Sequence, residues 1–420
     1  MVRTSLRFLG SVILLIAAVP LGALAGVGGF FGAALLSSAI PALVVSGGVA
    51  LLLSTLWLAR IAGRGLFPQR SGLRRALADL AVGTTLLLTG LVAAEFVFQP
   101  MSVRYVAKEP TAQTRYWELM TGSRLAYVHT PAQGAPRSTP IIHLHGGPGA
   151  PANFTSQALD AELAVAGFDV YRYDQVGAGA SARLADVTAY SVERHVADLE
   201  AIRRKLGAER VILIGGSWGG TLAAHYLAAH PGRVERVVFS SPGPIWAPAF
   251  AGNNTGSSGN VSAIVSELAT LRFVVVYALQ QVNPQAAANL ASDTEMSAFF
   301  QQILVRVIAA DVAGCSPAAE PPLSPPTFPR GFGYYANMLT AASLARTPDP
   351  RTALTGQETP ALVLRGACDR MLPEVHQEYV TLLPNATLVT LDGVGHAVDR
   401  APQYGAAVRS FVLGERLPDV

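Results

Sequence analysis

Two hydrophobic patterns divide the chain near residue 100. Before it lie three long apolar stretches, about Phe8–Val27, Ala34–Ala59 and Ala76–Phe98, which carry almost no charge. Each is close to the roughly 20 residues that a helix needs to cross a bilayer. They are apolar on every face, which a core helix seldom sustains over such a length. Residues 1–99 are therefore expected to form a membrane anchor of three transmembrane helices. Asp79 and Glu95 stand near the ends of the third stretch, where a charged head reaches the interface by snorkelling.

From residue 115 the pattern changes to short β-rich runs alternating with helical ones. Arg115–Met120 and Leu125–His129 read as a hairpin turning at Thr121-Gly122-Ser123. Six further strands are expected at Ile141–His145, Val170–Asp174, Val211–Ile214, Val234–Ser240, Ala361–Arg365 and Thr387–Leu391. Most carry few charges, as central strands covered on both faces do. Val192, Val196, Leu199, Ile202 and Leu206 repeat at helical spacing across Ser191–Leu206. Alternating βαβ units give a mostly parallel eight-stranded sheet with right-handed crossovers, an α/β class. The stretch 243–350 breaks the alternation. It includes the Gly/Ser/Asn-rich Gly252–Asn260 and the proline-rich Pro317–Pro329. It is expected as a helical cap or lid inserted between two halves of the core, 100–242 and 351–420, above the sheet edge where ligands bind.

Composition reinforces the anchor. Half of the 420 residues are hydrophobic, 14% are charged and the mean hydropathy is +0.35, too apolar for an ordinary soluble protein. Arg3 and Arg7 precede the first stretch, and Arg60, Arg64, Arg70, Arg74 and Arg75 crowd the connection before the third. Positive residues stay cytoplasmic. The chain is thus expected to be a multi-pass protein of the cell membrane, with everything after Pro100 on the extracytoplasmic side. The first stretch also reads as a signal peptide ending near Ala23-Leu24-Ala25, and its removal would leave the same final orientation. The net charge of +3 comes with no basic patch interleaved with aromatics, so nucleic acid is not expected as a partner. Cys315 and Cys368 are expected as two small buried thiols, with a single bridge between them the alternative outside the cytoplasm.

The chemistry concentrates in four places. Val211-Ile-Leu-Ile-Gly-Gly-Ser217-Trp-Gly-Gly-Thr221 runs from a strand through Gly-x-Ser-x-Gly into a helix, the turn that lifts a serine Oγ above a sheet. His145-Gly146-Gly147-Pro148-Gly149 follows the strand Ile141–His145, and its glycines expose backbone N–H groups at the same edge. Gly147 and Trp218 are the expected oxyanion donors. Later in the chain, Asp369 follows one strand and His396 follows the last, in the order Ser, Asp, His. Ser217 is then the nucleophile, His396 the base and Asp369 the group that orients it. His143 and His145 are expected to be structural, and His225 and His376 to be surface or packing residues on helices. Asp392, the rival acid, lies too near His396 along the chain.

Several of these motifs resemble the proline iminopeptidase (prolyl aminopeptidase) group of α/β-hydrolases. They are His145-Gly-Gly-Pro-Gly, Gly215-Gly-Ser-Trp-Gly-Gly, Asp174-Gln175 followed by Gly177-x-Gly179-x-Ser181, and Val196-x-Asp-Leu-Glu. The likeness spans roughly Arg115–Gly243 and Pro360–Val412. It implies an α/β-hydrolase fold with a helical cap, no cofactor or metal, and the triad Ser217, Asp369 and His396. Val176 stands where that group usually has arginine, and the cap lacks a recognisable pair of amine-binding glutamates. The expected activity is therefore hydrolysis of a short peptide at its N-terminal residue, with proline one candidate. A carboxylesterase acting on small apolar esters is the alternative, and a non-catalytic receptor or scaffold is the reading from another class. The expected partners are a small-molecule or short-peptide substrate and the membrane, while the oligomeric state is open.

Overall fold

The computed structural model describes residues 2–66, 72–152, 157–250, 269–313, 315 and 330–418. Gly252–Asn260, Pro317–Pro329, Arg70, Glu267 and Glu320 lie outside the described residues. The chain forms two compact units, one of Met1–Ser102 with Leu268–Glu295, the other of Val103–Glu267 with Met296–Val420.

The first unit is helical. Val2–Ala34 and Ile40–Leu66 are long helices joined by a short turn, and Gly72–Ala93 continues into a wider π-turn at Ala94–Phe98. Leu9–Ala34 and Ile40–Ala62 are long and apolar enough to span a bilayer, whereas the third apolar stretch, Val82–Phe98, is shorter. The two long helices approach through small residues. A Cβ on Gly26 would meet the Gly47 carbonyl at 3.3 Å, and one on Gly29 would press on Ala50 at 2.7 Å. Ser46 Oγ donates to the Gly29 carbonyl at 3.0 Å. Close approach through small residues is how helices associate where lipid removes the hydrophobic drive. Ile13, Ile16, Leu24, Val45 and Leu53 remain exposed on the outer faces.

Part of the stretch expected as a cap packs in this unit. Helices Leu271–Val282 and Pro284–Leu290 meet at Asn283, whose Oδ1 accepts from Ala286 N–H at 3.0 Å while Nδ2 donates to Ala34 O at 2.8 Å. The buried Arg272 guanidinium joins Glu295 to the carbonyls of Val97 and Leu290.

The second unit holds one eight-stranded sheet. Its strands are β1 (Arg115–Glu118), β2 (Arg124–Thr130), β3 (Ile141–Leu144), β4 (Val170–Tyr173), β5 (Val211–Gly216), β6 (Val234–Ser240), β7 (Ala361–Gly366) and β8 (Ala386–Leu391). The order is β1-β2-β4-β3-β5-β6-β7-β8, with β2 antiparallel to both neighbours and every other pairing parallel. Alternate side chains serve opposite faces. Ile212, Ile214, Val238, Leu362 and Leu364 pack on one face with helices Gln157–Val165 and Tyr404–Leu413. On the other, helices Val192–Lys205, Trp218–Ala229 and Pro373–Leu382 cover the sheet, and the Phe239 and Tyr379 rings meet at 4.6 Å. Ser191 caps the first of these helices by accepting from Arg194 N–H, which supplies one of the donors that a helix start leaves unmet.

Cys315 and Cys368 form a disulfide with Cα atoms 5.2 Å apart. This corrects the expectation of two free thiols. Periodicity cannot show that residues 53 apart in sequence meet in space. Chain entropy assigns a bridge of that span about 4 kcal/mol. A Cys315→Ser/Cys368→Ser chain in detergent should melt several degrees below wild type, and equal melting temperatures would refute that contribution.

Buried histidines make the second unit acid-sensitive. Burial pushes His195 down to about 3 and His145 to about 4, so the fold holds both neutral while an unfolded chain protonates them below about pH 6.5. The unfolded state then binds more protons, and stability falls as pH drops from 6.5 towards 4. Replacing His195 by Gln should flatten this slope, measured as melting temperature between pH 7.5 and 5. An unchanged slope would count against it.

Candidate active site

Three sequence-distant side chains converge at the C-terminal edge of the sheet. β5 delivers Ser217 into a turn at φ 51°, ψ −118°, a left-handed backbone that a non-glycine residue adopts at a cost. The turn closes because its neighbours lack side chains. A Cβ on Gly215 would collide with the Gly219 carbonyl, and one on Gly219 with the Leu144 carbonyl. The helix beginning at Trp218 then leaves Ser217 at its N-terminal end, towards which the helix dipole is positive.

His396 Nε2 lies 3.0 Å from Ser217 Oγ, and His396 Nδ1 lies 2.7 Å from Asp369 Oδ1. A carboxylate only accepts, so Nδ1 carries the hydrogen and Nε2 is left to accept from the serine hydroxyl. Asp369 sits in the turn after β7, where Met371 N–H also donates to Oδ1 at 3.0 Å. Burial opposes its ionisation, but the adjacent His376 and the hydrogen bond from His396 hold it well below the usual carboxylate range. In such an arrangement the imidazole can draw the hydroxyl proton, and the ionised aspartate stabilises the imidazolium that results.

The glycine loop after β3 is braced from two sides. Gly147 adopts φ +69°, which glycine reaches without strain. Asn337, on helix Tyr334–Leu344, donates through Nδ2 to the carbonyls of Gly147 at 2.5 Å and Pro148 at 2.6 Å. Gln175 holds the loop from below. Its backbone N–H donates to His145 Nε2 at 2.8 Å and its amide donates to His145 O at 2.9 Å. Its Oε1 accepts from Trp218 Nε1 at 2.9 Å. With Nε2 accepting, His145 donates through Nδ1 to the Gly146 carbonyl at 3.1 Å, which fits its neutral state.

Ser217 and His396 line a cavity of about 240 Å³ together with His145, Gly146, Ala152 and Tyr404. A larger one of about 880 Å³, beside helix Val192–Lys205, includes none of the three converging residues. Of the other histidines, His143 pairs with Asp160 at 3.1 Å, and His225 donates to the Ile245 carbonyl at 2.9 Å. Both side chains are buried or nearly so, and the histidine in contact with Ser217 Oγ is His396. Asp392 is exposed, and the carboxylate at His396 Nδ1 is that of Asp369. His376 is buried and faces Asp369 at 3.3 Å. Sequence reasoning missed Asn337 and His376. Nothing in the pattern marks Asn337, whereas His376 could have been suspected from its place on the helix that follows the Asp369 turn.

Residues 139–398 match the family profile described as alpha/beta hydrolase fold. A proline iminopeptidase of Heyndrickxia coagulans is 38% identical over 130 residues, 30% of this chain and 43% of that protein. One of Lactobacillus delbrueckii subsp. lactis is 40% identical over 105 residues, 24% of this chain and 35% of its own length. The chain thus spans less than half the length of these curated relatives. Among solved structures, the esterase EaEST from Exiguobacterium antarcticum superposes with a TM-score of 0.51 at 17% identity, covering 71% of this chain and 98% of its own. That likeness speaks to fold alone. The strand order, the serine turn after β5 and the profile match lead to one statement: the chain belongs to the alpha/beta hydrolase fold family.

Proposed function

We propose that this protein is a membrane-anchored serine hydrolase that cleaves an acyl bond through a covalent intermediate. The observation that carries the proposal is the Ser217–His396–Asp369 chain of contacts, 3.0 Å and 2.7 Å long, on a strained turn. Ser217 Oγ attacks the carbonyl carbon as its proton passes to His396 Nε2. The carbonyl oxygen becomes an oxyanion held by the N–H groups of Gly147 and Trp218. His396 returns the proton to the leaving amine or alcohol, and the acyl group stays on Ser217. Water then attacks, giving its proton to His396, and the acid leaves as Ser217 regains its hydrogen.

The substrate we favour is a short peptide cleaved at its N-terminal residue, in keeping with the proline iminopeptidases that match over part of their length. One observation favours the esterase reading instead. Among the described residues that line the Ser217 cavity, Asp399 is the sole carboxylate, so no acidic pair stands ready for a free amine. The full chain in detergent, given Pro-naphthylamide and p-nitrophenyl butyrate, decides between them. Faster ester turnover that ignores a free amine rejects the peptidase branch.

Ser217→Ala should abolish labelling by a fluorophosphonate probe and lower turnover on the order of 10⁴-fold or more. Retained turnover in that variant would remove Ser217 from its role.

The anchor rests on the two long apolar helices and the arginine distribution, and the disulfide suits an oxidising compartment. A periplasmic-type reporter enzyme fused after Pro100 should be active outside the membrane. Activity found only with a cytoplasmic reporter would reverse the orientation.

A further inference from the structure

The helix Leu271–Val282 is inverted relative to a helix that faces water. It buries Arg272, Phe273, Val276, Leu279 and Gln280, so its one charged side chain points inward. Leu271, Val274, Tyr277 and Val282 are 39–49% exposed. At about 3.6 residues per turn these four share one face, with Ala278 and Gln281 between them. Gln281 turns back on the helix, its Nε2 donating to the Tyr277 carbonyl at 3.4 Å. A surface helix in water keeps its apolar stripe inward and its charges outward.

The attachments of this helix indicate what its outer face meets. At its start, Thr270 Oγ1 accepts from Phe273 N–H at 3.2 Å and donates to Met101 Sδ at 3.5 Å. Arg272, paired with Glu295, donates to the Val97 carbonyl. At its end, Asn283 Nδ2 reaches the carbonyls of Ala34 at 2.8 Å and Ser37 at 3.3 Å. Asn289, on the next helix, donates to the Ser38 carbonyl at 2.9 Å. The helix therefore runs from the end of the third apolar stretch to the turn between the two long helices. It lies across one end of the helical unit. Its 12 residues rise roughly 18 Å, too short for the ~30 Å hydrocarbon core. Leu36 and Phe96, beside the two attachments, are apolar and exposed as well.

We propose that Leu271–Val282 is an interfacial helix that rests its outer face in the headgroup–acyl boundary of a lipid bilayer. This rests on the reading of residues 1–99 as a membrane anchor. Such helices bury an apolar face at that boundary, and a tyrosine ring suits the same depth. Arg272 is kept from lipid by Glu295 and by the two carbonyls it holds. The outer face carries no charge, so the contact should be indifferent to anionic lipid and to salt. The segment that separates β6 from β7 in the chain thereby returns to the membrane surface.

The test uses the full chain in phosphatidylcholine vesicles whose acyl chains are brominated near the headgroup end or near the methyl end. Bromine quenches tryptophan on contact. The chain has 4 tryptophans, and Trp57, exposed on helix Ile40–Leu66, reports on the anchor. Trp57→Phe gives the background against which Tyr277→Trp/Trp57→Phe is read. The indole introduced at position 277 should lose most of its emission in vesicles brominated near the headgroup end and little in the others. Phosphatidylserine or added salt should leave that loss unchanged, and a further Val274→Asp should reduce it. Should the Tyr277→Trp chain fail to fold, Val274→Trp/Trp57→Phe places the indole on the same face. No quenching at position 277 while wild-type Trp57 is quenched would overturn the proposal and leave the anchor standing. A second copy of the chain, or another of its segments, covering the face would give that result. Greater loss near the methyl end would overturn the interfacial placement. Trp57 unquenched in both sets would refute the anchor reading and the proposal with it.

Discussion

A carboxylate with no exposure has to be surrounded by donors or positive charge, and the turn that carries Asp369 is built around this constraint. Removing one charge from water without compensation costs several kcal/mol. The chain meets the cost with the Met371 N–H and two histidines that arrive from different elements, one after β8 and one from helix Pro373–Leu382. Because Oδ1 is the accepting side for His396, the imidazole has one usable tautomer, and its other nitrogen must face Ser217. The orientation of the whole relay is therefore set at its buried end. Parallel strands make this possible by placing the loops after β5, β7 and β8 on one edge of the sheet.

The loop after β3 is organised on the opposite electrostatic principle. His145 is kept neutral by burial, with one nitrogen accepting from Gln175 N–H and the other donating to Gly146 O. A neutral ring can do both, whereas a protonated one would lose its acceptor. Gln175 also holds the Trp218 indole, so one amide links the loop after β3 to the first residue of the helix after Ser217. The two expected oxyanion donors, Gly147 and Trp218, are thus tied to a common support. Asn337 adds a brace from helix Tyr334–Leu344.

Much of this was readable from the chain because it is local. All eight strands fall within two residues of the runs expected from hydrophobic pattern, since an apolar run between turn residues leaves few alternatives. Ser217 and the glycines around it announce themselves because a sharp turn tolerates few other residues. Asp369 and His396 stand out by their places after strands and their order in the chain. What escaped was non-local. The Cys315–Cys368 bridge, the Asn337 contact and the approach of His376 to Asp369 all depend on how segments fold back on one another. The same holds for Leu268–Glu295, which reads as part of a lid but packs with the N-terminal helices. Its capping residue, Asn283, reaches back to the carbonyl of Ala34, 249 positions earlier in the chain.

Helix length alone leaves the sidedness of the catalytic unit open. Two spans would return the chain to the face where it began, and three would carry it across. Two helices pass by length and composition, while the third apolar stretch is shorter. The disulfide weighs on this question from an independent direction. A bridge between Cys315 and Cys368 persists where the surroundings are oxidising and is rare in the cytoplasm. Cys368 also precedes Asp369 directly, and its backbone N–H donates to the Val394 carbonyl at 3.0 Å, two residues before His396. The bridge therefore anchors the residue that directly precedes Asp369. A chain that crossed twice would expose this tether to reducing conditions, where the acid turn loses its covalent support. A chain that crosses three times keeps it intact, and the arginines before the third helix favour the same topology. The compartment that a disulfide prefers and the arginine distribution thus agree with the proposed anchor.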